Sequence, residues 1–107
     1  MRAYGDFLSP YVRWLVMRVI LKVQFFSSLM RPAGISSTTV ELDKSTANVS
    51  NLIEVLGGKF GRELKDQLLS SYVRVIINGK DCQLLGGLMT DLCDGDEIIF
   101  FPPIGGG

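Results

Sequence analysis

The sequence predicts a small α+β domain, with a mixed sheet of about five strands and one main helix packed on one face. Three observations predict it: a strand pattern with polar residues at every second position lies near the start and a strongly apolar strand lies near the end, one amphipathic helix lies between them, and strand and turn signals follow that helix. The length of 107 residues suits one compact domain.

The composition limits the possible functions. Hydrophobic residues make up 47% and charged residues 21%, as in folded globular proteins. The 11 basic and 11 acidic residues cancel, so we expect no nucleic-acid partner. Histidine is absent, which removes the commonest general base and metal ligand. Cys82 and Cys93 lack the number and spacing of a zinc site, so we expect no metal and two reduced, partly buried thiols, with a disulfide as the alternative.

The first part of the chain fits the rest poorly. Residues 1–16 have no clear period and make a poor signal peptide, and basic residues interrupt the apolar content of residues 12–30, so we expect no membrane span and a cytoplasmic location. A clean strand pattern begins after Met17. Residues 1–16 are therefore treated as an N-terminal extension: either Met17 is the natural start, or the extension packs on the domain or on a partner.

The first strand is predicted over Arg18–Phe26. Its polar residues fall at even positions, so the odd positions form a buried face: Val19, Leu21, Val23 and Phe25. Phe26 shares the parity of the polar residues, which predicts an exposed apolar side chain. Residues 27–37, with a proline and a glycine, predict a loop, and Thr38–Asp43 predicts a second, antiparallel strand.

The main helix follows. Apolar residues recur at helical spacing, at Val49, Leu52, Ile53, Leu56 and Phe60. Asn48 is the predicted N-cap, and Gly57–Gly58 is expected to stop or loosen the helix near its end. Arg62–Ser70 predicts a weaker second helix.

The remaining segments complete the sheet. Asn78–Gly79 predicts a tight turn between a third strand, Tyr72–Asn78, and a short returning strand, Asp81–Leu85. Leu88–Leu92 is weakly helical, and Glu97–Phe101 is the last strand. The acidic residues Asp94 and Asp96 are interpreted as turn residues rather than as a catalytic pair.

The order β-β-α-(α)-β-β-β suggests a specific arrangement. A right-handed crossover through the helix would place the first and last strands parallel at the centre of the sheet. This is the β-grasp, or ubiquitin-like, architecture, although periodicity alone leaves other small α+β folds open. We assign residues 17–101 to this domain.

Residues 102–107 are predicted to form a flexible C-terminal arm. Pro102 and Pro103 favour an extended exit from the sheet, and Gly105, Gly106 and Gly107 carry no side chain. Fully extended, six residues span roughly 20 Å. Such an arm can enter a channel too narrow for a β-carbon and present the carboxylate of Gly107 there; the alternative is a frayed terminus or an expression scar.

Four blocks of the sequence resemble a known family, the MoaD-like small subunit of molybdopterin synthase. They are Lys22–Phe26, the helix start around Asn48–Ile53, the strand and turn Val75–Gly79, and Leu92–Gly107. The last block is the most specific, because Asp-Gly-Asp-Glu, an apolar strand, Phe-Pro-Pro and terminal glycines follow one another as in that family. The resemblance covers Met17–Gly107, and Gly105 departs from it, since relatives often carry a small non-glycine residue there.

The resemblance implies a sulfur carrier rather than a self-contained enzyme, with no bound cofactor and catalysis on a large subunit. An E1-like, MoeB-like adenylyltransferase would use ATP to adenylate Gly107, and a sulfur donor would convert it to a thiocarboxylate. The arm, Gly105 to Gly107, would then enter a MoaE-like large subunit and sulfurate a pterin precursor of the molybdenum or tungsten cofactor. Phe26 and Phe101 correspond to the family's apolar docking surface, although core packing would also explain them.

Other functions stay open. A ThiS-like carrier of the thiamine pathway and an Urm1-like carrier of tRNA thiolation share the terminal glycines, while Phe100-Phe101-Pro102-Pro103 favours the molybdopterin branch. A ubiquitin-like modifier would join Gly107 to lysines of other proteins. An adaptor with an incidental tail would function without its last two glycines.

Overall fold

The computed structural model of the protein describes residues 18–102, so the expectations for residues 1–17 and for residues 103–107 lie outside the described residues. Five strands are present: β1 (Arg18–Phe25), β2 (Ser37–Asp43), β3 (Arg74–Ile77), β4 (Lys80–Asp81) and β5 (Glu97–Phe101). The helices are a single turn, α1 (Met30–Ala33), the main helix α2 (Val49–Phe60) and a shorter helix α3 (Arg62–Leu68).

All five strands form one mixed sheet in the order β2-β1-β5-β3-β4. The strands β1 and β5 are parallel and lie at the centre, with Val23 opposite Ile98 and Phe25 opposite Phe100. The remaining neighbours pair in antiparallel fashion. The predicted β-grasp fold, with its first and last strands paired, is confirmed.

The alternation predicted for β1 sets the two faces of the sheet. Its odd residues are buried and its even residues are exposed. Inward side chains of β5 and β3, among them Ile98 and Phe100, join this buried layer, and the apolar stripe of α2 packs on it. The stripe is buried at Val49, Leu52, Ile53 and Leu56. One face of the sheet therefore carries the core, and the other is free of helices among the described residues.

The main helix begins where the sequence predicted. The Asn48 side chain accepts a hydrogen bond from the Asn51 backbone N–H at 2.8 Å, which satisfies one of the free donors of the first turn. The expectation that Gly57–Gly58 would end or loosen the helix is wrong, because helical structure continues to Phe60. The chain turns instead at Gly61, whose φ of 111° favours glycine.

Gly57 has a packing role. A β-carbon built on Gly57 would lie 2.8 Å from the Lys65 Cβ of α3, whereas one built on Gly58 would meet no atom within 4 Å. The absent side chain at Gly57 therefore permits the close approach of α2 and α3.

The second hairpin is shorter than predicted. Asn78 and Gly79 both have positive φ, at 50° and 86°, as a two-residue hairpin turn requires. The returning strand ends at Asp81, and Cys82–Leu84 forms a 3-10 turn. The prediction of a strand over Asp81–Leu85 is wrong because the Asp81 side chain accepts a hydrogen bond from the Gln83 backbone N–H at 2.9 Å, which turns the chain away from β3.

Smaller differences concern the connections. The predicted loop of residues 27–37 contains a 3-10 turn (Ser27–Leu29) and α1, and β2 begins one residue early. The weakly helical segment near Leu88 is a 3-10 turn, Gly87–Met89. The third strand and second helix are shorter than expected. None of these changes alters the sheet order.

The turn before β5 confirms the structural interpretation of its two aspartates. Asp94 accepts a hydrogen bond from the Ile20 backbone N–H at 2.7 Å. Asp96 accepts one from the Cys93 backbone N–H at 2.8 Å and one from the Asn78 side chain at 2.9 Å. Both carboxylates hold the start of β5 against its neighbours, which aligns the strand that leads into the arm.

Candidate functional site

Two adjacent residues at the end of β1 and two at the end of β5 place two aromatic pairs on opposite faces of the sheet. Phe25 and Phe100 stack on the buried face, with ring centroids 5.9 Å apart. Because side chains alternate along a strand, Phe26 and Phe101 both project to the other face. Their ring centroids lie 4.6 Å apart with the planes tilted by 37°. The family resemblance implied a docking role for both side chains, and the structure brings them into contact.

Phe26 lies directly after the end of β1 and continues the extended backbone of that strand by one residue. Its N–H donates to the carbonyl of Phe100 at 3.1 Å. The chain then turns at Ser27, whose φ is 56°. The Phe26 side chain is 41% exposed, as its sequence parity predicted, and Phe101 is half-buried. Packing on each other shields part of both rings while leaving apolar surface open to a partner.

Further residues of the same face extend this apolar area. Ile99 lies opposite Ile76 on β3, and both are half-buried. We call the four side chains Phe26, Ile76, Ile99 and Phe101 the open-face patch. Sequence reasoning missed the two isoleucines, although their alternation with the buried residues of β3 and β5 was a sufficient signal.

A charged pair borders the open-face patch. Arg74 lies opposite Phe101, and its Nε donates to the Asp81 carboxylate at 3.0 Å. The pKa of Asp81 is lowered, chiefly by the hydrogen bond from the Gln83 backbone and further by Arg74, against the opposing effect of desolvation. The carboxylate therefore stays ionised at neutral pH, and its charge is opposite to that of Arg74. Sequence reasoning did not identify this pair, whose contact crosses the hairpin between β3 and β4.

The chain leaves the sheet beside this patch. Pro102 follows β5 and is buried, and it is the last described residue. The predicted site residues Gly105, Gly106 and Gly107 lie outside the described part of the chain. The open-face patch is thus adjacent to the point from which these residues continue, as a docking surface for an arm-binding partner requires.

Two further kinds of candidate site, a metal cluster and a reactive thiol, can be checked within the described residues. No cluster of three or more metal-binding side chains occurs within residues 18–102. Both cysteines are free thiols, as expected, but only Cys82 is buried, and Cys93 is exposed rather than partly buried. Burial raises the pKa of the Cys82 thiol, and the nearby Asp81 charge adds to the effect, so this thiol is a poor nucleophile.

No helix within residues 18–102 has the length and apolar character needed to cross a membrane.

Two curated relatives share the sequence over most of their length. A candidate sulfur carrier protein of Archaeoglobus fulgidus is 31% identical over 81 residues, which cover 71% of this chain and 92% of the relative. Small archaeal modifier protein 3 of Haloferax volcanii is 31% identical over 91 residues, which cover 81% of this chain and 98% of the relative.

A solved structure shares the fold. A candidate molybdopterin converting factor, subunit 1, of Pyrococcus furiosus superposes with a TM-score of 0.68 at 26% identity, covering 80% of this chain and 99% of that one. The model of the ThiS family matches residues 23–107, which include β1 from Val23, the Phe26–Phe101 pair and the terminal glycines. The chain therefore belongs to the ThiS family of ubiquitin-like proteins.

Proposed function

We propose that this protein is a sulfur carrier that accepts sulfur at the carboxyl group of Gly107 and delivers it in molybdopterin synthesis. The observation that carries the proposal is the family match itself, because it runs through the β-grasp domain and continues to the last glycine. The open-face patch, exposed beside the start of the arm, supports it by offering a partner a contact surface at that point.

The chemistry requires an activating enzyme. A carboxylate is a poor electrophile, so its oxygen first attacks the α-phosphorus of ATP and pyrophosphate leaves. A sulfide equivalent then attacks the acyl carbon of Gly107 and displaces AMP, which gives the thiocarboxylate. If the donor is a persulfide, a thiol reductant supplies the two electrons that release its sulfur. The E1-like, MoeB-like enzyme performs the activation, so this chain contributes the acyl group and the docking surface.

Sulfur delivery then takes place on a second protein. In this proposal the arm enters a MoaE-like large subunit, where the thiocarboxylate sulfur bonds to a carbon of the pterin precursor of the molybdenum or tungsten cofactor and displaces an oxygen leaving group. Water then cleaves the acyl–sulfur bond, which leaves the sulfur on the precursor and releases Gly107 as a carboxylate. Gly105, Gly106 and Gly107 suit a channel with no room for a β-carbon. The molybdopterin assignment draws support from the Phe-Pro-Pro arm and from the similarity to the Pyrococcus furiosus structure. We place the reaction in the cytoplasm.

The test is the intact mass of the chain after incubation with the activating enzyme, ATP and a sulfide donor. We expect the mass increase of one oxygen-to-sulfur exchange, located in the C-terminal peptide, and none in a variant that lacks Gly106–Gly107. The sulfurated chain should then convert the pterin precursor when the large subunit is added. An unchanged mass with an enzyme that activates a known carrier would refute the carrier role.

A second function is favoured by one comparison, the similarity to small archaeal modifier protein 3. In this alternative the activated Gly107 is attacked by a lysine amine of another protein, AMP leaves, and an isopeptide bond forms. Cell extracts would then contain adducts in which the C-terminal glycines are attached to lysines. A chain that supplies sulfur without forming such adducts would exclude the modifier role.

A further inference from the structure

A groove lies beside the base of the arm and shares Phe101 with the open-face patch. It has a volume of about 870 Å³ and runs between the segment that follows α3 and the two 3-10 turns that follow β4. We call it the arm-base groove, because Phe101 and Pro102, the last described residues, form one of its walls. Phe101 is a predicted docking residue, whereas the other residues that line the groove were not predicted as site residues.

The groove exists because β4 is short. That strand pairs only with the last two residues of β3, Ile76 and Ile77. The chain then turns away at Asp81, so no strand of the described sheet lies beside Arg74 and Val75 on that side. The space left there is floored by buried side chains, among them Leu68, Val75 and Cys82.

Several exposed apolar side chains stand on the rim of the groove. Tyr72 is 72% exposed, and Leu69 and Leu88 are exposed as well. Met89, next to Leu88 in the sequence, is also exposed. Clustered exposed apolar side chains around a depression are typical of protein contact sites, whereas single ones are ordinary. The only charged side chains lining the groove, Arg74 and Asp81, pair with each other, so the groove suits an uncharged occupant.

The groove is continuous with the proposed docking surface. Phe101 contacts Phe26 in the open-face patch and also lines the groove. An enzyme that receives the arm must place the mouth of its channel around Pro102, and its surface then meets both areas. The activating enzyme is the first such enzyme that an unmodified carrier meets.

We propose that the arm-base groove is a second docking site for the ATP-dependent activating enzyme and takes an extended apolar segment of that enzyme. Leu69, Tyr72 and Leu88 contact this segment, while the adjoining open-face patch contacts the same enzyme. The inference rests on the proposed function and adds a contact surface to it.

The test is the steady-state kinetics of adenylation, measured as ATP-dependent pyrophosphate release with the full chain as substrate. We expect Tyr72→Ser and Leu88→Ser each to raise the KM for the chain about tenfold, as removal of a central apolar contact does, with kcat changed less than about twofold. Val55→Ser is the matched control: Val55 is exposed on α2 but does not line the groove, so its KM should stay unchanged. Thermal unfolding verifies that all variants fold.

Each contrary outcome has a distinct signature. An unchanged KM in both groove variants, with normal adenylation of the unmodified chain, would overturn the groove assignment and leave the carrier role standing. No pyrophosphate release from the unmodified chain would overturn both. Dimers that dissociate with Tyr72→Ser would identify a second copy as the occupant. NMR shift changes at Val75 and Cys82 on removal of residues 103–107 would identify the chain's own arm; either result contradicts the proposal.

Discussion

The two cysteines differ in environment, and their chemistry should differ accordingly. Cys82 is buried at the base of the second hairpin, while Cys93 is exposed in the turn before β5. We expect iodoacetamide to modify Cys93 more than about tenfold faster, because a buried thiol reacts only after local opening. Both cysteines lie in the tryptic peptide 81–107, which has no internal Lys or Arg, so tandem mass spectrometry of this peptide over time locates the modified cysteine. Equal rates in the folded protein would contradict the placement of Cys82.

The raised pKa of Cys82 also predicts a pH effect on stability. Burial favours the neutral thiol, so the unfolded state loses the proton at a lower pH than the folded state. The stabilisation is complete below the ordinary thiol pKa of about 8.5 and is lost as pH rises through the folded value. Urea unfolding at pH 7.5 and pH 9.5 should show a larger alkaline loss in the unmodified chain than in Cys82→Ala. The same loss in both would exclude this titration.

At the scale of elements, the contact between α2 and α3 depends on one of two adjacent glycines. Gly57→Ala places a methyl group against the Lys65 side chain and should destabilise the protein by about 1–3 kcal/mol. Gly58→Ala meets open space and should stabilise the helix by roughly 0.5–1 kcal/mol. Denaturant unfolding of the two variants provides the comparison. Equal effects would mean that the helices shift to admit either methyl group.

Two adjacent residues of β5 are expected to have different roles: Phe100 stabilises the core, and Phe101 contacts a partner. Phe100→Ala removes a fully buried ring and should destabilise the protein by about 3–5 kcal/mol. Phe101→Ala removes a half-buried ring and should cost about 1–2 kcal/mol. Under the proposed function, only Phe101→Ala raises the KM for adenylation when both variants are measured well below their unfolding temperatures. A raised KM for Phe100→Ala alone would reverse the assignment of the two faces.

How far the sequence predicts these elements depends on whether the signal is local. Asn48 and Asn78–Gly79 act through their own backbone neighbours, and both predictions are confirmed. Gly57–Gly58 was predicted to stop the helix because the sequence around it does not show the reason for Gly57. That reason is the close packing of Lys65, which belongs to another helix. The prediction of a strand over Asp81–Leu85 was wrong because the hydrogen bond from the Gln83 backbone to the Asp81 side chain outweighed the β propensity of the segment.

The candidate site shows the same limit. Parity alone predicted the exposure of Phe26, and the resemblance supplied Phe101 as its companion. The arm-base groove could not be predicted, since Tyr72 and Leu88 belong to separate loops that the fold brings to one rim. The docking role of these side chains, like that of the glycines of the arm, stays a prediction until partner binding is measured.

At the scale of the whole molecule, the last strand joins the two halves of the sheet. β5 lies between β1 and β3, pairs with both, and adds Ile98 and Phe100 to the core. Without it, β1 with β2 and β3 with β4 would be two separate hairpins, and isolated hairpins are marginal in water. The domain therefore depends on the residues immediately before the arm.

This dependence predicts opposite outcomes for two truncations. A chain ended after Asp96 lacks β5 and should show no cooperative unfolding transition by circular dichroism. A chain ended after Gly105 keeps every described strand and should unfold within about 2 °C of the full chain, since the buried core of the described residues lies between Val19 and Phe100. Under the proposed function, the second truncation also abolishes adenylation. Cooperative unfolding of the shorter chain would show that β1 and β3 can pair without β5, and would contradict the central role assigned to that strand.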